Sequence, residues 1–168
     1  KRKFCLMVSS GSAANLISIA SFFYTKNPML KKGDEVIVPA VSWSTTYFPL
    51  QQFGLKLKFV DIDLNTLNYN LVSLKSAITK NTKMLVAVNL LGNPNDFGAI
   101  NKIIKNRNIF IFEDNCESLG AEYNGKYTGT FGSIGTFSTY YSHHISTIEG
   151  GLITTDNKEL YHILLSLR

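Results

Sequence analysis

The sequence predicts an α/β fold built on a largely parallel sheet with helices on both faces. Apolar runs of strand length alternate with segments whose apolar residues recur at helical spacing, which is typical of βαβ units. The chain of 168 residues is 45% apolar and 17% charged, an ordinary composition for one domain with a hydrophobic core.

The predicted elements follow one another in regular order. Apolar residues recur at helical spacing between Gly11 and Lys26, and a turn at residues 33–34 leads into a strand at Glu35–Pro39. A helix is predicted over 45–52, imperfect because of Pro49, and a strand over 56–61. The next elements are a helix over 71–78, a strand over 84–89, a helix over 100–104 and a strand over 109–112.

After Gly120 the pattern changes to short strands with glycine turns at 124–125 and 129–135. No repeat, low-complexity tract or linker interrupts the chain, so we expect one domain. Residues 1–5 run straight into an apolar stretch and residues 164–168 stop within a helical pattern. We therefore expect both ends to be cut inside structure.

Charge and cysteine content narrow the class of protein. The net charge of +5 comes from Lys and Arg residues that are scattered, so no nucleic-acid partner is expected, and a modest basic bias suits phosphorylated ligands. Cys5 and Cys116 give no disulfide framework, and no stretch approaches the roughly 20 apolar residues of a membrane span. There is no signal-peptide pattern, and we expect a cytoplasmic protein without a membrane partner.

Three segments carry candidate functional residues. Small residues at 9–15 precede an apolar helix, which favours a phosphate site at the helix N-terminus, although such a turn can simply cap the helix. Trp43 follows a predicted strand and is either a core aromatic or a ligand contact. Asp114 ends an apolar strand, where ligands of α/β folds gather, but a carboxylate there can also cap the following turn.

The segment 138–151, S-T-Y-Y-S-H-H-I-S-T-I-E-G-G, resembles the active-site loop of the PLP-dependent sugar aminotransferases of the DegT/DnrJ/EryC1/StrS family. That loop reads roughly S-F-x-x-x-K-x-x-x-x-G-E-G-G. Counting back from Glu149 places the family's cofactor-binding lysine at position 143, where this chain has His143. Imidazole cannot form a Schiff base with the cofactor aldehyde, but it moves protons near neutral pH.

The resemblance covers essentially the whole chain and implies the large domain of a fold-type I PLP-dependent transferase. Members of this family are more than twice as long. We therefore expect residues 1–168 to be a partial PLP-binding large domain, with the small C-terminal domain absent.

The resemblance also implies roles for individual residues. The cofactor phosphate would be held by four of them: Gly11, Ser12, Ala13 and Ser138. Trp43 would stack on the pyridine ring, Asp114 would pair with the pyridinium nitrogen, and Glu117 would lie near the ring hydroxyl. Gly150 and Gly151 would let the backbone pass close to the ligand. A substrate pocket would use Asn89, Gly92 and Asn93, and Asn89 replaces the family's usual histidine.

With His143 in place of lysine, the resemblance implies a PLP/PMP-dependent nucleotide-sugar 3-dehydratase. The cofactor would enter as the amine, PMP, and His143 would act as acid and base while the C3 hydroxyl of a nucleotide-diphosphate 4-keto-6-deoxy sugar leaves. GDP-4-keto-6-deoxymannose is the expected substrate, glutamate the expected amino donor, and a homodimer the expected assembly. No metal site is expected.

Two alternatives remain open at this point. One is a CDP-4-keto-6-deoxyglucose 3-dehydrase that takes electrons from a reductase through a [2Fe-2S] cluster, since Cys116 lies 27 residues before His143, where that enzyme has its first cluster cysteine. The other is a non-catalytic PLP-binding regulator, in which the lysine has simply been lost. Asp114 and Ser138 are both present, and loss of function would be expected to erode them too.

Overall fold

A computed structural model describes all residues, 1–168. The strands are β1 (Phe4–Val8), β2 (Glu35–Pro39), β3 (Lys56–Val60), β4 (Thr82–Val88), β5 (Phe110–Asp114), β6 (Glu122–Tyr123), β7 (Lys126–Tyr127), β8 (Ile134–Ser138) and β9 (Gly151–Thr155). The helices are α1 (Gly11–Phe23), α2 (Ser44–Gln52), α3 (Leu71–Ala77), α4 (Phe97–Ile104) and α5 (Lys158–Leu167). A short 3₁₀ turn covers Leu90–Gly92.

Seven strands form one sheet in the order β1-β9-β8-β5-β4-β2-β3, and β6 and β7 form a separate hairpin. The five strands from β8 to β3 pair in parallel, whereas β9 pairs antiparallel with both β8 and β1. The predicted α/β fold with a mostly parallel sheet is confirmed. The parallel strands all end at one edge, and β9 brings residues after the 139–150 loop back beside β1.

Helices cover both faces of the sheet, which explains why the central strands are apolar along their whole length. In β4, Met84 and Val86 face the core beneath α1 and α5, while Leu85 and Ala87 face the core beneath α3 and α4. Phe22 of α1 is fully buried in the first core. Two hydrophobic layers therefore hold the strand ends in fixed register.

Several boundaries differ from the sequence expectations. β1 was not predicted. The short strands β6 and β7 flank the predicted turn at 124–125, whereas β8 begins at Ile134, inside the stretch predicted as a turn, and is a fully buried strand of the main sheet. α4 begins before residue 100 because Asp96 caps it, accepting a hydrogen bond from Ala99 N at 2.9 Å. α2 continues through Pro49, as expected of an imperfect helix.

None of the five helices combines the length and the hydropathy needed to cross a membrane.

Candidate functional site

A cavity of about 420 Å³ opens at the edge where the parallel strands end. Its walls come from the N-termini of α1 and α2, the ends of β4 and β5, and the loop between β8 and β9. Of the eight residues predicted to bind the cofactor or to act in catalysis, seven line it: Gly11, Ser12, Trp43, Asp114, Glu117, Ser138 and His143. Ala13 is the exception.

The N-terminus of α1 forms an anion cradle. Ser10 is the N-cap, and its side-chain and backbone oxygens accept the N–H groups of Ala13 at 3.0 Å and Ala14 at 2.9 Å. The N–H groups of Gly11 and Ser12 find no acceptor in the chain and remain available. Because the Ala13 N–H is already used by the cap and Ala13 does not line the cavity, its phosphate role stays a prediction.

Ser138 closes the cradle because residue 11 is glycine. A Cβ on Gly11 would lie 2.7 Å from the Ser138 Cβ and 2.9 Å from the Cys116 Sγ, which is too close for either neighbour. Two free N–H groups, a helix dipole and nearby hydroxyls thus converge at one point. This is the geometry that binds a phosphate.

Asp114 is the most constrained group in the cavity. It is only 5% exposed, and its Oδ2 accepts bonds from Asn15 Nδ2 at 2.9 Å and Thr46 Oγ1 at 2.8 Å. Its Oδ1 accepts only the Cys116 N–H, at 3.2 Å. A carboxylate has about four acceptor positions, so one remains open at Oδ1.

No basic side chain neutralises Asp114, since the single ion pair of the protein joins Arg2 and Asp156 elsewhere. A buried carboxylate without a countercharge is costly unless a cationic group completes the site. A ring N–H⁺ would supply both the missing hydrogen bond and the missing charge. The residues present therefore fit a pyridine-ring cofactor with a phosphate tail.

Trp43 and Glu117 both line the cavity. Trp43 precedes α2 and is 70% exposed, so it is not a core aromatic, and its ring is free to cover a flat ligand. Glu117 Oε2 accepts the Leu91 N–H at 3.1 Å, which holds the turn after β4 against the cavity.

The two adjacent histidines are placed differently. His143 lines the cavity and is half-buried, whereas His144 is exposed and does not line it. The backbone N–H of His143 donates to the Tyr140 carbonyl at 3.0 Å, and the two rings lie 6.2 Å apart between centroids in an edge-to-face arrangement. Tyr140 N in turn donates to Ser138 Oγ at 3.2 Å. The backbone of His143 is thus joined to the phosphate cradle by a single short turn.

Ile148 departs from the family loop, which has glycine at this position. Its φ of 70° lies in the left-handed region, which a β-branched residue rarely adopts, and its side chain is 81% exposed. The next glycines are tightly packed, because a Cβ on Gly150 would lie 2.3 Å from Thr139 Oγ1.

Sequence reasoning missed several residues of the site. Ser10, Ser42, Thr46, Tyr140 and Ser142 line the cavity but were not singled out. The only signal in the sequence was their closeness to Gly11, Trp43 and His143.

Asn89 lines the cavity, as expected of a pocket residue, but its side chain is engaged in bonds within the protein. It is fully buried, and its Oδ1 accepts the Asn95 N–H at 2.9 Å while its Nδ2 donates to Asn115 Oδ1 at 2.6 Å. These bonds join the loops after β4 and β5. Gly92 and Asn93 do not line the cavity.

Cys116 lines the cavity beside Asp114. Burial, and after it the charge of Asp114, raises the pKa of the Cys116 thiol well above its usual value, so it is protonated at neutral pH. No cluster of three or more His, Cys, Asp or Glu side chains is arranged to hold a metal ion.

An open α/β sheet with an anion cradle at a helix N-terminus and an unpaired buried carboxylate at the strand ends has the architecture of the PLP-dependent aminotransferases. Within that class, the chain belongs to the DegT/DnrJ/EryC1/StrS aminotransferase family, whose model matches residues 1–168.

Among its relatives, the chain is 66% identical over 166 residues to the GDP-4-keto-6-deoxy-D-mannose 3-dehydratase of Escherichia coli O55:H7, covering 99% of this chain and 43% of the relative. The E. coli enzyme solved with bound hydrated PLP is similar in structure, with a TM-score of 0.96 and 66% identity, and the match covers 98% of this chain and 42% of that one. A GDP-4-keto-6-deoxymannose-3-dehydratase with a trapped PLP-glutamate geminal diamine matches at a TM-score of 0.97 and 65% identity, with the same coverage. The chain spans less than half the length of these relatives.

Proposed function

We propose that this chain is part of a PLP/PMP-dependent nucleotide-sugar 3-dehydratase that removes the C3 hydroxyl of GDP-4-keto-6-deoxymannose, with glutamate as the amino donor. Residues 1–168 form part of its cofactor-binding large domain, and the small C-terminal domain lies outside this chain. The observation that carries the proposal is His143, which stands at the family's lysine position and reaches the cavity, while the anion cradle and Asp114 are intact.

Different residues of the chain hold different parts of the cofactor. The free N–H groups of α1 and the Ser138 hydroxyl bind its phosphate, Trp43 covers one face of the ring, and Asp114 holds a proton at the ring nitrogen. When bound as the amine, the cofactor supplies the group that reacts with the 4-keto carbon and a ring that accepts electrons.

His143 supplies the acid and base chemistry. Without a lysine at this position, no covalent anchor competes for the reactive carbon of the cofactor. The imidazole would take the proton from that carbon, C4′, and pass it to the hydroxide that leaves C3, so that the two depart together as water. His144 does not line the cavity and is therefore not the proton carrier.

Support for this substrate and amino donor comes from the relatives. Both similar structures are named as GDP-4-keto-6-deoxymannose 3-dehydratases, and one holds glutamate attached to PLP. The glutamate adduct in that similar structure favours glutamate over the iron-sulfur route.

We also propose a cytoplasmic homodimer as the working form. Trp43 lines the cavity, and Leu91, Tyr141 and Ile148 are chain neighbours of residues that line it; all four large apolar side chains are exposed. Exposed apolar side chains of this kind suit contact with a second subunit.

The test uses the full-length protein with PLP, L-glutamate and GDP-4-keto-6-deoxymannose. We expect loss of water from C3, with 2-oxoglutarate and ammonia formed. His143→Asn should lower turnover by about 10²- to 10⁴-fold, the range of a lost general base, whereas the matched variant His144→Asn should keep it. Product formation that requires a reductase instead of glutamate would support the iron-sulfur alternative, and cofactor binding without any product would support the regulator.

A further inference from the structure

Two hydrogen-bond chains converge on a single oxygen of Asp114. One runs from Ser42 Oγ to Thr46 Oγ1, 2.9 Å apart, and on to Asp114 Oδ2 at 2.8 Å. The other runs from Thr136 Oγ1 to Asn15 Oδ1 at 2.7 Å, and from Asn15 Nδ2 to Asp114 Oδ2 at 2.9 Å. The chains approach from α2 and from α1.

The direction of donation along the first chain follows from chemistry. An ionised carboxylate only accepts hydrogen bonds, so the Thr46 hydroxyl must donate its single proton to Asp114. Its oxygen is then free only to accept, and Ser42 is the donor to it. In both chains, the hydrogen bonds are therefore donated in the direction of Asp114. If Thr46 or Asn15 turned away, a buried polar group would be left without a partner.

Burial makes the arrangement rigid. Asn15 is 1% exposed and Thr46 is 2% exposed, so water cannot replace either donor. Asn15 also approaches the Thr45 carbonyl with Nδ2 at 3.5 Å. Helical geometry would pair that carbonyl with the N–H of residue 49, but Pro49 has none. The proline inside α2 thus leaves an acceptor for the asparagine of α1.

We propose that Asn15 and Thr46 are positioning residues that jointly fix Asp114 Oδ2, so that the open acceptor position of Oδ1 meets the ring nitrogen of the cofactor. This inference rests on the proposed cofactor site. Neither residue contacts the cofactor in this role; each acts through the carboxylate, which two donors hold in one orientation.

The experiment measures binding of PMP to the full-length protein by absorbance titration, for wild type, Thr46→Val and Thr46→Ser. Valine keeps the shape of threonine without its donor, so we expect affinity to fall about tenfold, the effect of one hydrogen bond to a charged group. Thr46→Ser keeps the hydroxyl and should restore the affinity.

Ser44→Ala on the exposed start of α2 is the matched control and should bind PMP as wild type does. If Thr46→Val does not fold, Asn15→Ala tests the other donor with the same expectation. Wild-type affinity in a folded donor-lacking variant would overturn the inference. Failure of the wild-type protein itself to bind PMP would instead overturn the proposed function.

Discussion

Gly151 passes directly over Ser10, and the two backbones are in van der Waals contact. A Cβ on Gly151 would lie 2.2 Å from the Ser10 carbonyl oxygen and 2.9 Å from Gly11 N. The first residue of β9 is thus pressed against the N-cap of α1. The anion cradle depends on this approach, because it holds the helix N-terminus next to Ser138.

Gly151→Ala should therefore destabilise the protein through steric overlap with backbone atoms that cannot move aside. We expect a loss of about 1 to 3 kcal/mol in the free energy of unfolding, measured by urea denaturation, together with weaker PMP binding. Gly125→Ala is the matched control: its Cβ would meet no atom within 4 Å, and only its φ of 73° opposes alanine. Unchanged PMP affinity in Gly151→Ala would show that the contact does not shape the cradle.

His143→Lys should allow a covalent link between the protein and PLP and favour transamination over C3 deoxygenation. An amine forms a Schiff base with an aldehyde, and residue 143 lines the cavity. Borohydride reduction followed by mass spectrometry of the full-length protein would detect the link. His144→Lys offers the same amine one residue away, outside the cavity, and should give none. Unaltered deoxygenation by His143→Lys, with no cofactor linked to the lysine, would contradict the assignment.

Ile148→Gly should stabilise the loop before β9. A β-branched residue in the left-handed region costs about 1 to 2 kcal/mol, which exceeds the entropy cost of glycine, so we expect a net gain of about 0.5 to 1 kcal/mol. Thermal unfolding measures the gain. Ile145→Gly, an exposed position of the same loop without a positive φ, should give no such gain. Equal effects of the two substitutions would mean that the strain at residue 148 is unimportant.

Glu113→Gln should weaken the turn at 129–132. The buried Glu113 carboxylate accepts three backbone N–H groups, from Gly129 at 2.6 Å, Phe131 at 2.6 Å and Gly132 at 2.5 Å. An amide can accept at one end only and sets its NH₂ group against an N–H at the other. We expect a loss of about 1 to 3 kcal/mol in urea denaturation, and Glu122→Gln, at an exposed position, should be neutral. A neutral Glu113→Gln would refute the bonding scheme.

Asp156→Asn should lower the free energy of unfolding near neutral pH but not at acidic pH. The Lys3 N–H, and then Arg2, lowers the pKa of Asp156 below 3.8. The stabilisation is therefore present above pH 3.8 and is lost as pH falls through the lower value of the folded state. Because this side chain is about half exposed, the loss at pH 7 should be only about 0.5 kcal/mol. Unfolding measured at pH 7 and near pH 3 checks this, and an equal deficit at both would contradict it.

Much of the fold follows from local patterns in the sequence. The alternation of apolar runs with helical spacing gives the parallel sheet, and the strands at Glu35–Pro39 and Phe110–Asp114 lie where that pattern places them. β1 was missed because a five-residue run at Phe4–Val8 is a strand only through its pairing with β9, nearly 150 residues later in the chain. Local propensity carries no information about that partner.

Part of the site was also predictable from local patterns in the sequence. Gly11, Asp114 and His143 sit in short motifs with fixed spacing, and the structure brings them to one cavity. Asn15 and Thr46 have no such spacing. They approach Asp114 only because α1 and α2 pack over the end of β5, and two ordinary polar residues on helices give no sign of this in the sequence.

The antiparallel position of β9 ties the site to the order in which the chain is synthesised. The cradle uses the N-terminus of α1, which leaves the ribosome early, but it is completed only when Gly151 and the rest of β9 pair with β1. A nascent chain whose residues 151–155 are still inside the ribosome therefore lacks a complete binding site, even when its helices have formed. Contacts between residues so far apart in the sequence form slowly. Cofactor binding should therefore come late in biosynthesis, and it should indicate that β9 has paired with β1.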